Sequence, residues 1–119
     1  MAKLLIVEDN KDFRQTLERM ATMLGHSVVA TCSSAGDAIR FLQKDNVDIM
    51  VADVGLPDHL SPVLYWIKSS KPSLKVLLMS GTPYDTLVLH RKIPESKHFL
   101  SKPFSIKNLD EALQKLEEQ

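Results

Sequence analysis

Leu4-Leu5-Ile6-Val7-Glu8-Asp9-Asn10 sets four apolar residues directly before three polar ones. The same change of character returns twice more: Ile49-Met50-Val51-Ala52 runs into Asp53, and Val76-Leu77-Leu78-Met79 runs into Ser80-Gly81. Runs that are short and apolar at every position, rather than at every second one, predict strands buried on both faces, as in a parallel sheet covered by helices. Ser27-Val28-Val29-Ala30 and His98-Phe99-Leu100-Ser101 are more mixed, the character of edge strands.

Amphipathic stretches fill the intervals. Phe13, Leu17, Met20 and Leu24 recur at helical spacing, with Gly25 as the stop signal. Ser34 starts a second helix whose apolar face is Ala35, Ala38, Ile39 and Leu42. Ser61-Pro62 reads as the N-cap and first turn of a third, carrying Val63, Leu64 and Ile67. A short fourth helix is expected at 84–92, between Pro83 and Pro94, and Ser105 caps a fifth with Ile106, Leu109, Leu113 and Leu116 inward. Met20, Met23, Met50 and Met79 all fall at core positions of this scheme. Strict strand–helix alternation with right-handed crossovers predicts an α/β fold, a doubly wound five-stranded parallel sheet in a single domain over residues 1–119.

The chain has 119 residues, 44% hydrophobic and 25% charged, with 15 basic and 15 acidic groups balancing to zero. That length buries a core without metal or disulfide staples. Balanced charge argues against direct nucleic-acid binding, and no apolar stretch reaches the roughly 20 residues of a membrane span. Cys32 is the only cysteine, which points to a reducing, cytoplasmic setting and to a small, semi-buried residue rather than a reactive thiol. The balance hides an asymmetry: residues 1–60 hold six basic and nine acidic groups, and residues 61–119 hold nine and six.

Ligands of doubly wound sheets bind beyond the carboxyl ends of the strands. Glu8-Asp9-Asn10, Asp53, Ser80-Gly81 and Lys102-Pro103 follow four of the five strands, so one edge gathers three carboxylates, a hydroxyl and an ammonium. Each has an ordinary explanation by itself. Asn10 caps the first helix, Glu8 and Asp9 suit its first turn, Asp53 and Ser80 are loop formers, and Lys102 is a surface charge. Arrival together at successive strand ends outweighs those explanations. Three adjacent carboxylates repel unless a cation sits among them. Lys102 is one such cation, and Mg²⁺, a hard ion suited to carboxylate and carbonyl oxygens, is another. A hydroxyl and an ammonium then remain to hold phosphoryl oxygens, a set suited to moving a phosphoryl group onto a carboxylate.

Glu8-Asp9, Asp53-x-x-Leu56-Pro57, Ser80-Gly81 and Lys102-Pro103-Phe104, in this order and at ordinary spacings over nearly the whole chain, resemble the receiver domain of two-component response regulators. The resemblance implies a flavodoxin-like sheet in the order 2-1-3-4-5 with five helices. It implies that Asp53 accepts a phosphoryl group from the phosphohistidine of a sensor histidine kinase or histidine phosphotransfer protein. Mg²⁺ would be bound by Asp9, Asp53 and the Gly55 carbonyl, with Glu8 assisting. Lys102 and Ser80 would hold the phosphoryl oxygens, and Phe99 matches the switch aromatic, with plain core packing as its competing role. The implied output surface is the fourth helix, fifth strand and fifth helix. It would meet an unidentified downstream protein, with the chain monomeric or dimerising on phosphorylation, and would catalyse no more than its own phosphorylation and dephosphorylation.

Asp58-His59-Leu60-Ser61-Pro62 departs from the family's usual stretch after the proline and is one residue shorter. Glu95-Ser96 stands where Gly-Ala is usual. Gly55 and Thr82, two residues beyond Asp53 and Ser80, offer no acid or amide to orient water, which implies slow autodephosphorylation. His26, His59, His90 and His98 read as scattered surface residues, His59 lying near enough to Asp53 for a place at the pocket rim. Tyr65 and Trp66 read as half-buried. Two rivals remain. A haloacid-dehalogenase-type phosphatase would use an aspartyl nucleophile, but it wants a second aspartate where Gly55 stands. A pseudo-receiver docking module would draw its support from the rebuilt 58–62 loop.

Overall fold

A computed structural model describes residues 2–89 and 98–118. Among them strands and helices alternate throughout: β1 Lys3–Val7, α1 Lys11–Met23, β2 Ser27–Cys32, α2 Ala35–Lys44, β3 Ile49–Asp53, α3 Ser61–Ser70, β4 Lys75–Ser80, α4 Tyr84–Leu89, β5 Phe99–Ser101 and α5 Ile106–Glu117. The five strands are all parallel, in the order β2-β1-β3-β4-β5. This is the flavodoxin-like arrangement that the sequence implied.

Pleating divides each central strand between two cores. Leu4 and Ile6 of β1, with Ile49, Val51, Leu77 and Met79, pack under Leu17 and Ala21 of α1 and Leu109, Leu113 and Leu116 of α5. Leu5 and Val7, with Met50, Ala52 and Leu78, face Ala38 and Leu42 of α2 and Val63 and Ile67 of α3. All five residues of β3 are buried, so its apolar run serves both faces. Each fully buried leucine contributes on the order of 2 kcal/mol, and truncating Leu109 to alanine would cost about 2–5 kcal/mol.

Caps set most of the helix starts. Asn10 Oδ1 accepts from the Phe13 amide, Ser34 Oγ from Asp37, and Ser105 Oγ from Asn108, whose side chain accepts in return from the Ser105 amide. The third helix differs from expectation. Its N-cap is Leu60, and Ser61 is already its first helical residue, without a side-chain cap. Leu60 is buried in the core, and that packing, not a hydroxyl, fixes the start of the helix.

Four other expectations need correction. Met23 is exposed because it ends α1 on the outer face, while Met20 packs as expected. Tyr65 is also exposed, at 80%, on the solvent side of α3, whereas Trp66 is half-buried. His26 is not a surface residue: it is buried, and its Nδ1 accepts from the Ala2 amide at 3.2 Å. Cys32 is buried rather than half-exposed, and burial pushes its thiol up to about 11, which suits a packing role. The tail of the expected fourth helix (90–92), His90 and Glu95-Ser96 lie outside the described residues. On α4, Leu87 is buried, Val88 half-buried and Leu89 exposed, the split that three consecutive apolar residues on one helix must show.

Candidate functional site

The parallel register carries the polar strand ends to one edge. Asp53, the last residue of β3, pairs with Met79, and Ser80, the last of β4, pairs with Ser101. Two hydrogen bonds extend the ladder beyond the strands: the Val54 amide donates to the Met79 carbonyl at 2.9 Å, and the Lys102 amide to the Ser80 carbonyl at 2.8 Å. Lys102 is thereby delivered beside Ser80 by main-chain pairing alone.

Its side chain then reaches back to β1. The Lys102 ammonium donates to Glu8 Oε1 at 2.5 Å and lies 3.3 Å from Asp53 Oδ1. Glu8 is almost wholly buried, with 1% exposure, and Asp53 and Ser80 keep 7% and 5%. The second Glu8 oxygen, Oε2, accepts from the Asn10 amide at 3.0 Å, so both oxygens of this carboxylate are engaged. Burial pushes the Glu8 carboxyl above its ordinary pKa of 4.5, and the nearby Asp53 charge adds to this, while the Lys102 and Asn10 hydrogen bonds pull the other way. Burying such a charge is costly unless it is paired, and Lys102 supplies the pairing.

Glu8, Asp9 and Asp53 each offer one oxygen, and these three oxygens lie within 4.8 Å of one another. Asp9 is exposed and completes the cluster from the solvent side. Ser80 Oγ accepts from the Thr82 amide at 3.0 Å, which orients the hydroxyl at the start of the β4–α4 loop. A side-chain carbon added at Gly55 would stand in ordinary contact with Asp53 Oδ2, at 3.5 Å, which sets this glycine beside that oxygen. The Glu8, Asp9, Asp53, Ser80 and Lys102 set is thus one constellation. Phe99 lies apart from it, half-buried on β5 with its ring 5.2 Å from that of Tyr84 on α4.

Two contributors escaped the sequence reading. The Lys102 ammonium sits 4.6 Å from the centroid of the Phe13 ring, which in turn meets Phe104 edge-on at 5.5 Å. An aromatic face favours a cation, so this pair helps to hold the lysine in place. Phe13 read only as a core position of α1, and its place four residues after Asp9 was the available signal. Asp58, in the rebuilt loop, accepts from the Ala35 amide at 2.9 Å and the Gly36 amide at 3.1 Å, and these bonds hold its carboxyl below the ordinary 3.8. It ties the loop after Asp53 to the first turn of α2. The signal was a carboxylate in one loop and a Ser-Ala-Gly helix start in another, with nothing in sequence to pair them.

Residues 4–114 match the family model described as the response regulator receiver domain. The chain is 30% identical to the chemotaxis protein CheY of Listeria monocytogenes over 117 residues, covering 97% of this chain and 98% of that protein. It is 31% identical to the DNA-binding transcriptional regulator NtrC of Azospirillum brasilense, covering 91% of this chain but only 22% of the relative. Among solved structures, the response regulatory domain of mrkE from Klebsiella pneumoniae superposes with a TM-score of 0.80 at 21% identity, covering 98% of this chain and 99% of that one.

Proposed function

The chain belongs to the response regulator receiver family, a family of signalling modules rather than classical enzymes, and from that premise we propose that residues 1–119 act as one receiver unit whose phosphoacceptor is Asp53. The observation that carries this reading is the cluster of three carboxylates able to hold a metal ion, two of them buried, with Lys102 at 3.3 Å from Asp53.

In the proposed reaction an Asp53 oxygen forms a bond to phosphorus as the phosphorus–nitrogen bond of a donor phosphohistidine breaks and the imidazole departs. Lys102 turns part of its charge from Asp53 to the incoming phosphoryl oxygens, and Ser80 donates its hydroxyl to them. The donor set fits Mg²⁺, with three hard oxygens in reach of one another, and the Gly55 carbonyl would be a further ligand. Asp9 and Asp53 would bind directly. Glu8, with both oxygens already engaged, would assist through water. The ion would neutralise charge on the transferring group.

The donor would be a sensor histidine kinase or a histidine phosphotransfer protein, and the setting the cytoplasm. Among the described residues no helix is long and apolar enough to cross a membrane. Phosphorylation would shift the population of two states. Ser80 and Phe99 would carry the change to the surface of α4, β5 and α5, where Leu89 is exposed to a downstream protein.

Amide NMR with beryllofluoride and Mg²⁺ tests the assignment. Metal-dependent shifts around residues 53, 80 and 102 are expected in the wild type and should vanish in Asp53→Asn. An unchanged wild-type spectrum would favour a docking module that is never phosphorylated.

A further inference from the structure

Three partners surround the Lys102 ammonium: Glu8 Oε1, to which it donates, Asp53 Oδ1 at 3.3 Å, and the Phe13 ring, whose centroid lies 4.6 Å away. Two of them are carboxylates that also belong to the candidate metal cluster. The third is different in kind. A benzene ring attracts a cation through its electron-rich face, but it is no ligand for a hard metal ion, which takes oxygen. Of the three, Phe13 is therefore the partner that Mg²⁺ cannot draw away. The fold fixes the ring from both sides. The Phe13 amide donates to Asn10 Oδ1 at 2.9 Å, which sets the first turn of α1 directly after Glu8 and Asp9. Phe104, two residues beyond Lys102, meets the ring at 84° with the centroids 5.5 Å apart. Both phenylalanines pack against the core beneath α1 and α5. The ring is half-buried and the lysine side chain keeps 21% exposure, so the contact is partly out of water, where such an attraction is stronger than at the open surface.

We propose that Phe13 is a positioning residue for phosphoryl transfer, holding the Lys102 ammonium at the site while the neighbouring carboxylates give their oxygens to a metal ion. This rests on Asp53 being the phosphoacceptor. Without the ring, the ammonium would be repelled by the second cation and left with weakened carboxylate partners. It would then swing out to water on its flexible four-carbon stem. With the ring in place, Lys102 stays within reach of the phosphoryl oxygens as an Asp53 oxygen bonds to phosphorus and the phosphorus–nitrogen bond of the donor breaks. Phe13 touches none of the reacting atoms and acts through the lysine alone.

The full chain would be incubated with radioactive phosphoramidate at saturating Mg²⁺ and its rate of labelling measured, ammonia being the group that leaves. Phe13→Leu keeps apolar volume but has no aromatic face, and it should take up label about fivefold more slowly, the loss expected for one partly desolvated cation–π contact. Phe13→Tyr keeps the face and should stay within about twofold of wild type. Phenylalanine carrying one, two and three ring fluorines at position 13 drains electron density from the face with little change of shape. The rate should fall step by step along that series. Mg²⁺ affinity, read from the melting temperature, should not weaken in Phe13→Leu. A flat fluorine series with an active wild type, or Mg²⁺ affinity falling in step with the rate, would make Phe13 a packing residue and overturn this proposal alone. No uptake by the wild type would instead remove the acceptor assignment and this inference with it.

Discussion

Two clefts of nearly equal size lie at opposite ends of the same sheet. The one at the carboxyl ends of the strands measures about 430 Å³ and adjoins Ser80 and Gly55; the one at the amino ends measures about 410 Å³ and is lined by Asp45, Asp48, Lys71, Lys75 and Glu117. Both are rich in polar groups. At the amino end, Asp48 accepts from the Lys3 amide at 2.8 Å in an exposed setting, and no lining charge is buried. At the carboxyl end Glu8 and Asp53 are buried and share one ammonium, and the sole carboxylate cluster among the described residues with the spacing to hold a metal ion is there. Volume does not distinguish the two ends. The difference is that one end takes charges out of water and must balance them, whereas solvent screens the charges of the other.

Metal binding should divide the two ends most sharply. Mg²⁺ at one hundred times its dissociation constant should stabilise the wild type by about 2.7 kcal/mol, read as a higher melting temperature, and should do far less for Asp53→Asn. Equal stabilisation of both proteins would move the ion away from the carboxyl end.

Removing one lysine from each end comes next. Lys102→Ala leaves Glu8 buried without its cation and should cost about 2 kcal/mol in urea unfolding. Lys71→Ala, at the exposed amino end, should fall within about 0.5 kcal/mol of wild type. Equal losses would erase the distinction between the ends.

A smaller effect is expected at Asp58, which caps α2 from a distant loop. Asp58→Ala should cost about 1 kcal/mol at neutral pH, as for other lost helix caps. The folded-state pKa of Asp58 lies below the ordinary 3.8, so its contribution is present above that value and disappears as the pH falls through the folded value. Wild type and variant should therefore converge in strong acid.

The smallest effect belongs to Glu8, because the Lys102 and Asn10 hydrogen bonds oppose the influence of burial. Its folded-state pKa is above 4.5, so the folded chain binds the proton more tightly than the unfolded chain does. That contribution favours folding below 4.5 and is lost as the pH rises through the folded value. Without metal, lowering the pH from neutral towards 4.5 should favour the wild type more than Glu8→Gln in chemical denaturation. Parallel pH profiles would mean that Glu8 is not desolvated.

The sheet was legible from the chain because β1, β3 and β4 each carry four consecutive apolar residues, a pattern few other environments permit. The candidate site followed, since Glu8, Asp9, Asp53, Ser80 and Lys102 all stand at or just beyond strand ends, where topology alone brings them together. Features decided by tertiary packing were not legible. The start of α3 at Leu60 depends on a core contact that no local signal announces, and His26 was misjudged because its partner is the distant Ala2 amide. Asp58 on α2 and Phe13 on Lys102 likewise join segments far apart in sequence.

The ion pair between Glu8 and Lys102 spans 94 positions of the chain. A ribosome adding about 5–20 residues per second exposes the acidic half roughly 5–20 seconds before the lysine that neutralises it. A nascent or prematurely terminated chain ending before Lys102 would hold Glu8 and Asp53 with no counter-charge between them. Such a fragment would hold buried carboxylates without their cation and would resist closing its own sheet, which would leave incomplete copies open to proteolysis.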